Sequence, residues 1–178
     1  MTPTSLFGAG GDPAAAVREN ACSTVASTLW RERELLEKLL FCLTSQQLVL
    51  SAGAVRWLTA ADAQVREAVD ALTGCELHRA IETDELARLL GLPGDASLDD
   101  IVTHADEPWN SLLADHRDAL RDLVSEITAV TAENRRLLRA GADVVRETLE
   151  RVGAVTPTYG PRGTTTAGSI SLLLDRQA

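Results

Sequence analysis

The chain has 178 residues, of which 45% are apolar and only 3% aromatic, so one domain is expected and an aromatic-rich β core is disfavoured. Its net charge of −9 and its pI of about 4.8 disfavour a nucleic-acid binder, because phosphates need a basic surface. The apolar runs are much shorter than the roughly 20 residues that cross a bilayer, and the first residues do not form a signal peptide. The sequence therefore predicts a cytoplasmic protein without membrane insertion.

The first predicted helix begins at an acidic cap. Residues 1–11 are small, polar and glycine-rich, and we expect them to be disordered. Asp12 followed by Pro13 is typical of a helix start, and from there to Gly53 the chain has neither glycine nor proline. Gly53 predicts a left-handed cap that ends this helix. The alternative is a helix that continues to the capping-box pattern at residues 59–62.

The next segments predict one long helix and one short helix. Residues 54–90 show helical periodicity, and Gly74 inside them predicts an irregularity. Paired glycines and a proline at residues 91–94 end this helix, because neither residue type propagates it. A short capped helix is then expected over residues 97–104.

The longest predicted helix begins at Trp109, after acids and a proline that favour a helix start. Coiled-coil seam positions, in alternating steps of four and three, are filled mainly by the apolar residues Trp109, Leu113, Leu120, Leu123, Ile127, Val130, Leu137 and Val144. The seam is interrupted by His116, Asn134, Gly141 and Thr148. The fold class that follows is all-α: a long antiparallel helical hairpin or three-helix bundle with coiled-coil packing over residues 12–152.

Three polar features of the longest helix have more than one interpretation. Asn134 either fixes helix register and partner number or serves as a polar anchor for a bound helix. His116 is interpreted as a hydrogen-bonded core histidine. Charges three or four residues apart predict a solvated face, with the pairs Asp118 and Arg121, Glu133 and Arg136, Asp143 and Arg146, and Glu147 and Arg151.

Few residues suggest catalysis or metal binding. Cys75 and His78, three residues apart, are the only local pair of potential metal ligands, and two ligands without a second pair are a weak signal. The three cysteines have no disulfide-framework spacing, which favours a reducing compartment. No catalytic or nucleotide-binding motif is found. We expect a protein that is not an enzyme and needs no metal or cofactor.

The C-terminal residues 153–178 differ in composition from the helices. Proline, glycine and threonine dominate residues 153–168, which predicts a flexible tail. An apolar segment, residues 170–174, follows near the end. It is either a binding segment that folds on contact or a short helix docked on the bundle.

Several short segments occur in an order typical of one family: residues 29–37, 39–41, 46–48, 52–53, 57–58, 107–109, 116–117, 123–127, 134–138 and 158–160. Together they resemble the actinobacterial branch of the FlgN family of flagellar export chaperones. The resemblance implies a chaperone that binds the C-terminal helical segments of the hook-filament junction proteins and delivers them to the export gate. A client helix that buries its apolar stripe in a groove needs no ATP and no metal.

The resemblance also implies where the binding residues lie. Client binding in the family belongs to the C-terminal helical part, which here contains Leu137, Leu138, Val144, Val145, Leu149 and Val152, with Asn134 as the candidate polar anchor. Tyr159 resembles a tail tyrosine of the family that docks to the export gate. The alternatives are that these apolar residues are intramolecular core, or that the chain is a structural coiled-coil module that self-associates, for example as a homodimer.

Overall fold

The computed structural model describes residues 12–154 and the side chains of residues 12–152. These residues form four α-helices, with one 3₁₀ turn (Val55–Trp57) between the first two: α1 (Pro13–Ser51), α2 (Leu58–Leu89), α3 (Leu98–His104) and α4 (Trp109–Ala154). Within this described range there is no strand, and the all-α prediction is confirmed. The predictions for residues 1–11 and for the tail from residue 155 onwards lie outside the described residues.

Helix α1 begins and ends as the sequence predicts. The carboxylate of Asp12 accepts a hydrogen bond from the Ala14 N–H at 3.0 Å, so it caps the helix. At the other end Gly53 has φ of +61°, a conformation that favours glycine. The alternative helix through to residues 59–62 is therefore wrong. The predicted start of the second helix is also too early, because the 3₁₀ turn comes first and α2 begins only at Leu58.

Helices α1 and α2 end in the same type of hydrogen-bonded turn. After α2, Gly91 has φ of +73° and donates to the Arg88 carbonyl, while the Leu92 N–H donates to the Ala87 carbonyl at 2.8 Å. This 6→1 and 5→2 pattern is a Schellman motif, and the turn at Gly53 repeats it. It satisfies carbonyl groups that the helix end leaves without intrahelical partners.

The predicted irregularity at Gly74 is wrong. Helix α2 runs through this position without a break. A glycine inside a helix costs only about 1 kcal/mol relative to alanine, which the packing of a long helix readily offsets. The two capping predictions that follow are better supported. Ser97 and Asp100 form a reciprocal capping box on α3, and α4 begins at Trp109, directly after Pro108.

The described residues divide into two compact units, with the boundary between Asn134 and Arg135. In the first unit α1 packs along α2, and the initial part of α4 joins them, which confirms a helical bundle. One apolar cluster contains Cys22, Val25, Ala26, Leu29, Leu86, Ala87, Ile101, Val102, Ala105 and Leu113. A second contains Leu39, Cys42, Leu43 and Ala68, with Val65, Leu72, Ile127 and Val130 packed against it.

The second unit contains the rest of α4, described from Arg135 to Ala154. Among its described side chains Leu137 is half-buried and all others, through Val152, are exposed. This segment is therefore a helix whose apolar residues are left largely uncovered.

Candidate protein-binding surface

The second unit carries an exposed apolar stripe along α4. The stripe contains Leu138, Val144, Val145, Leu149 and Val152, whose exposed fractions range from 42% to 65%. Successive steps of seven, four and three residues join Leu138, Val145, Leu149 and Val152, so these four share one helix face. Val144 lies at the border of that face, seven residues after the half-buried Leu137. In the part of the chain that the structure describes, these five side chains are not core residues.

Charged residues occupy the polar side of the second half of α4. Arg151 forms an ion pair with Glu147 at 2.6 Å, and Arg146 forms one with Asp143 at 3.3 Å. Both pairs were predicted, as was the pair of Asp118 and Arg121 in the first unit, at 3.7 Å. All these groups are well exposed, so the predicted solvated face is confirmed and each pair adds little stability.

Asn134 is the last residue of the first unit and precedes Leu138 by four positions. Its side chain is 2% exposed, and its Nδ2 donates to the Leu43 carbonyl at 2.9 Å and to Gln46 Oε1 at 2.8 Å. The Gln46 amide in turn donates to Asp62 Oδ1 at 2.5 Å. This polar layer joins α4, α1 and α2 at one level, which favours the interpretation that Asn134 fixes helix register. Both amide hydrogens of Asn134 are directed to α1, so neither is available to a bound helix.

His116 is buried in the first unit, as predicted. Its ring meets the Trp30 ring edge-on, with centroids 6.1 Å apart and planes at 88°. This edge-to-face contact, rather than the predicted hydrogen bond, is the interaction that the structure gives the ring. Burial lowers the pKa of His116, and the nearby charge of Arg33 lowers it further. The neutral ring is thus the form that suits this site.

Cys75 and His78 do not form a ligand pair. The Cys75 thiol is buried and directed to the Thr28 carbonyl, with Sγ 3.9 Å from the oxygen, while His78 is exposed. Burial raises the pKa of the Cys75 thiol, which disfavours the thiolate that binds metal. Among residues 12–152 no cluster of three or more potential metal ligands is found.

A buried ion pair between α1 and α2 was missed by the sequence reasoning. Arg79 Nε lies 2.7 Å from Glu32 Oε2, and the Glu32 side chain is buried. Burial raises the pKa of Glu32, while the Arg79 charge opposes that rise. The available signal was the position of Glu32, three residues after Leu29 and four before Leu36, on the buried leucine face of α1. The pair lines an open cleft that also contains other charged residues of both signs.

Tyr159, the candidate gate-docking residue, lies outside the described residues. None of the helices in the described range combines the length and the apolar character that a membrane span requires.

The fold and the exposed stripe define a class: a helical protein whose described residues present an amphipathic helix suited to packing against another helix. The model of the family described as FlgN protein matches residues 22–167. The chain therefore belongs to the FlgN family, whose members are flagellar export chaperones that bind flagellar proteins and are not enzymes. No curated protein matches the chain, and no solved structure does.

Proposed function

We propose that the chain is a cytoplasmic chaperone of the type III flagellar export pathway that binds the C-terminal helical segments of the hook-filament junction proteins and delivers them to the export gate. The observation that carries the proposal is the exposed stripe on the second half of α4. A client helix that would otherwise self-associate can bury its own apolar face against this stripe. Tyr159 is the residue proposed to contact the export gate.

The size of the stripe suits reversible binding. Burying the exposed part of each Leu or Val contributes about 1–2 kcal/mol, and the client side contributes a similar amount. The total is comparable with the roughly 4–15 kcal/mol that association costs in lost freedom of motion. The net affinity is expected to be moderate, which suits a chaperone that must release its client without ATP.

The proposal is tested by a substitution that places a single charge on the exposed stripe of the full chain. Leu149→Asp should weaken binding of a peptide from the C-terminal helical segment of a hook-filament junction protein by at least about tenfold, because a carboxylate would be buried against apolar groups. Calorimetric titration measures the affinity, and circular dichroism checks that helicity is kept. Amide exchange in residues 135–152 should also slow when the peptide is added.

The matched control is Leu77→Asp on α2. Leu77 is 66% exposed and Leu149 is 65% exposed, so the two changes place the same charge at leucines of equal exposure. Leu77→Asp should leave the affinity within about twofold of the unmodified chain, since it lies on another helix. The proposal would be contradicted if Leu149→Asp and Leu77→Asp lowered the affinity for the peptide equally, or if neither variant lowered it.

A second candidate function is supported by the same observation. The exposed stripe can pair with the stripe of a second copy, which would make the chain a self-associating coiled-coil module or a homodimer. Sedimentation at several concentrations separates the two candidates. A concentration-dependent mass that Leu149→Asp abolishes, together with no binding of the junction-protein peptide, would favour self-association.

A further inference from the structure

The second unit is basic within an acidic chain. Residues 135–152 contain five arginines and three carboxylates, a net charge of +2, whereas the whole chain has −9 and the rest of it therefore carries −11. The arginines are Arg135, Arg136, Arg139, Arg146 and Arg151, and the acids are Asp143, Glu147 and Glu150. The helix that carries the exposed stripe is thus electrostatically distinct from the rest of the chain.

Three of these arginines lie along one border of the stripe. Arg135, Arg139 and Arg146 each precede a residue of the apolar face by three positions, namely Leu138, Ala142 and Leu149. We call these three residues the arginine edge. All three are exposed, and within residues 12–152 neither Arg135 nor Arg139 has a carboxylate partner. The pair of Arg146 with Asp143 is surface-exposed and weak.

We infer that the arginine edge selects a client helix whose apolar face is bordered by carboxylates. The inference rests on the proposed function and adds the chemistry of the client to it. In paired helices the residues that flank the apolar seam set partner choice and orientation. Arginine suits this role, because its guanidinium binds carboxylates bidentately and its aliphatic part can cover the border of an apolar contact.

The charge pattern disfavours a second copy as the occupant. In an antiparallel pair of identical helices the same borders meet, so the two arginine edges would face each other, with Glu150, four residues after Arg146, as the one carboxylate on that border of each copy. In a parallel pair the arginine edge would meet the opposite border, Leu137, Val144 and Arg151, which has no carboxylate. An acid-bordered helix of another protein can supply a carboxylate to each of the three arginines, whereas a second copy supplies at most Glu150 in the antiparallel arrangement and none in the parallel one.

The experiment uses the full chain and two synthetic helical peptides that carry the same apolar stripe. Glu residues border the stripe in the first peptide, and Lys residues border it in the second. The Glu-bordered peptide should bind about tenfold more tightly at low salt, because three exposed ion pairs form with it and three like-charge contacts with the other. Raising the salt concentration should reduce the difference. Arg135→Gln, Arg139→Gln and Arg146→Gln combined should bring the two affinities within about twofold.

A triple variant elsewhere serves as the control. Arg31→Gln, Arg66→Gln and Arg88→Gln change the total charge by the same amount at exposed positions of α1 and α2. This variant should keep the tenfold preference. A control that loses the preference as fully as the edge variant would overturn the inference, since overall charge would then explain the effect.

The remaining outcomes separate the inference from the function on which it rests. Equal binding of both peptides to the unmodified chain at low salt, with Leu149→Asp still abolishing it, would overturn the arginine edge and leave the stripe as the binding surface. Absence of binding to either peptide and to the junction-protein segment would overturn both. Reversal of the preference by Arg135→Glu, Arg139→Glu and Arg146→Glu combined would support the edge directly.

Discussion

The two halves of α4 share one sequence pattern and lie in opposite environments. In the first half Leu113 is fully buried among residues of α1, α2 and α3, whereas in the second half Leu149 is 65% exposed. Both are leucines on the apolar face of the same helix. The apolar pattern thus identifies the face of the helix that is suited to burial. It does not show whether residues of the same chain or of a partner pack against that face.

The boundary between the halves is marked by a polar residue. Asn134 closes the first unit with hydrogen bonds to α1, and Arg135, the first residue of the second unit, is exposed. A buried amide that must find its partners tolerates only one helix register, because a shift leaves it without hydrogen bonds. We interpret Asn134 as the residue that fixes where the self-contained bundle ends.

The largest expected difference comes from one substitution made in each half. Leu113→Ala should lower the free energy of unfolding by about 2–5 kcal/mol, because it leaves a cavity in a packed core. Leu149→Ala makes the same chemical change on the same helix and should alter the free energy of unfolding by no more than about 0.5 kcal/mol. Urea unfolding followed by circular dichroism measures both.

The opposite effects are expected on peptide binding. Leu149→Ala should weaken it, while Leu113→Ala should not, under conditions in which the variant remains folded. A cost above about 2 kcal/mol for Leu149→Ala would break the comparison, because it would mean that Leu149 belongs to a core.

A smaller effect is expected at the boundary itself. Asn134→Ala should lower the free energy of unfolding by about 1–3 kcal/mol. The substitution removes the hydrogen bond that the Asn134 amide donates to Gln46 Oε1 and leaves the space of the buried amide unfilled. Asn20→Ala, the same change at an exposed position of α1, is the control and should stay within about 0.5 kcal/mol. An unfolding free energy that Asn134→Ala leaves unchanged would contradict the role that we give this residue.

Much of the fold could be predicted from the sequence because its signals are local. Asp12, Gly53 and the capping box at Ser97 each specify a helix end through chemistry within a few residues, and all three act as predicted. The core face of α2 was harder to predict. Val69, Leu77 and Ile81 support the helical periodicity and are exposed, whereas the buried positions include the small residues Ala61, Ala68, Cys75 and Ala87. Which side of a helix faces its neighbours depends on tertiary packing, which periodicity alone does not determine.

The candidate surface could be predicted only in part. The resemblance to the FlgN family directed attention to Leu138, Val145 and Leu149, but their exposure depends on which parts of the chain pack against α4. The arginine edge was visible in the sequence as the spacing of Arg135, Arg139 and Arg146. Its interpretation as a binding feature depends on the exposure of the apolar face beside it, which the spacing does not determine.

The smallest expected effect is the pH dependence of the buried half. Burial holds the pKa of His116 below its unfolded value of 6.5, so the unfolded chain takes up this proton more readily than the folded chain. The contribution of His116 to stability is therefore complete above pH 6.5 and is lost as the pH falls through the folded pKa. The slope that it adds cannot exceed about 1.4 kcal/mol per pH unit, because one proton is involved.

Comparison with His116→Phe between pH 5 and pH 8 isolates this effect. The variant keeps an aromatic ring against Trp30 and should show a flatter stability profile below pH 6.5, while all other titrating groups cancel in the difference. Because the second half of α4 has no histidine among its described residues, peptide binding at the stripe should lack this dependence on His116. A His116→Phe profile parallel to that of the unmodified chain would show that the buried ring does not make the first unit sensitive to pH.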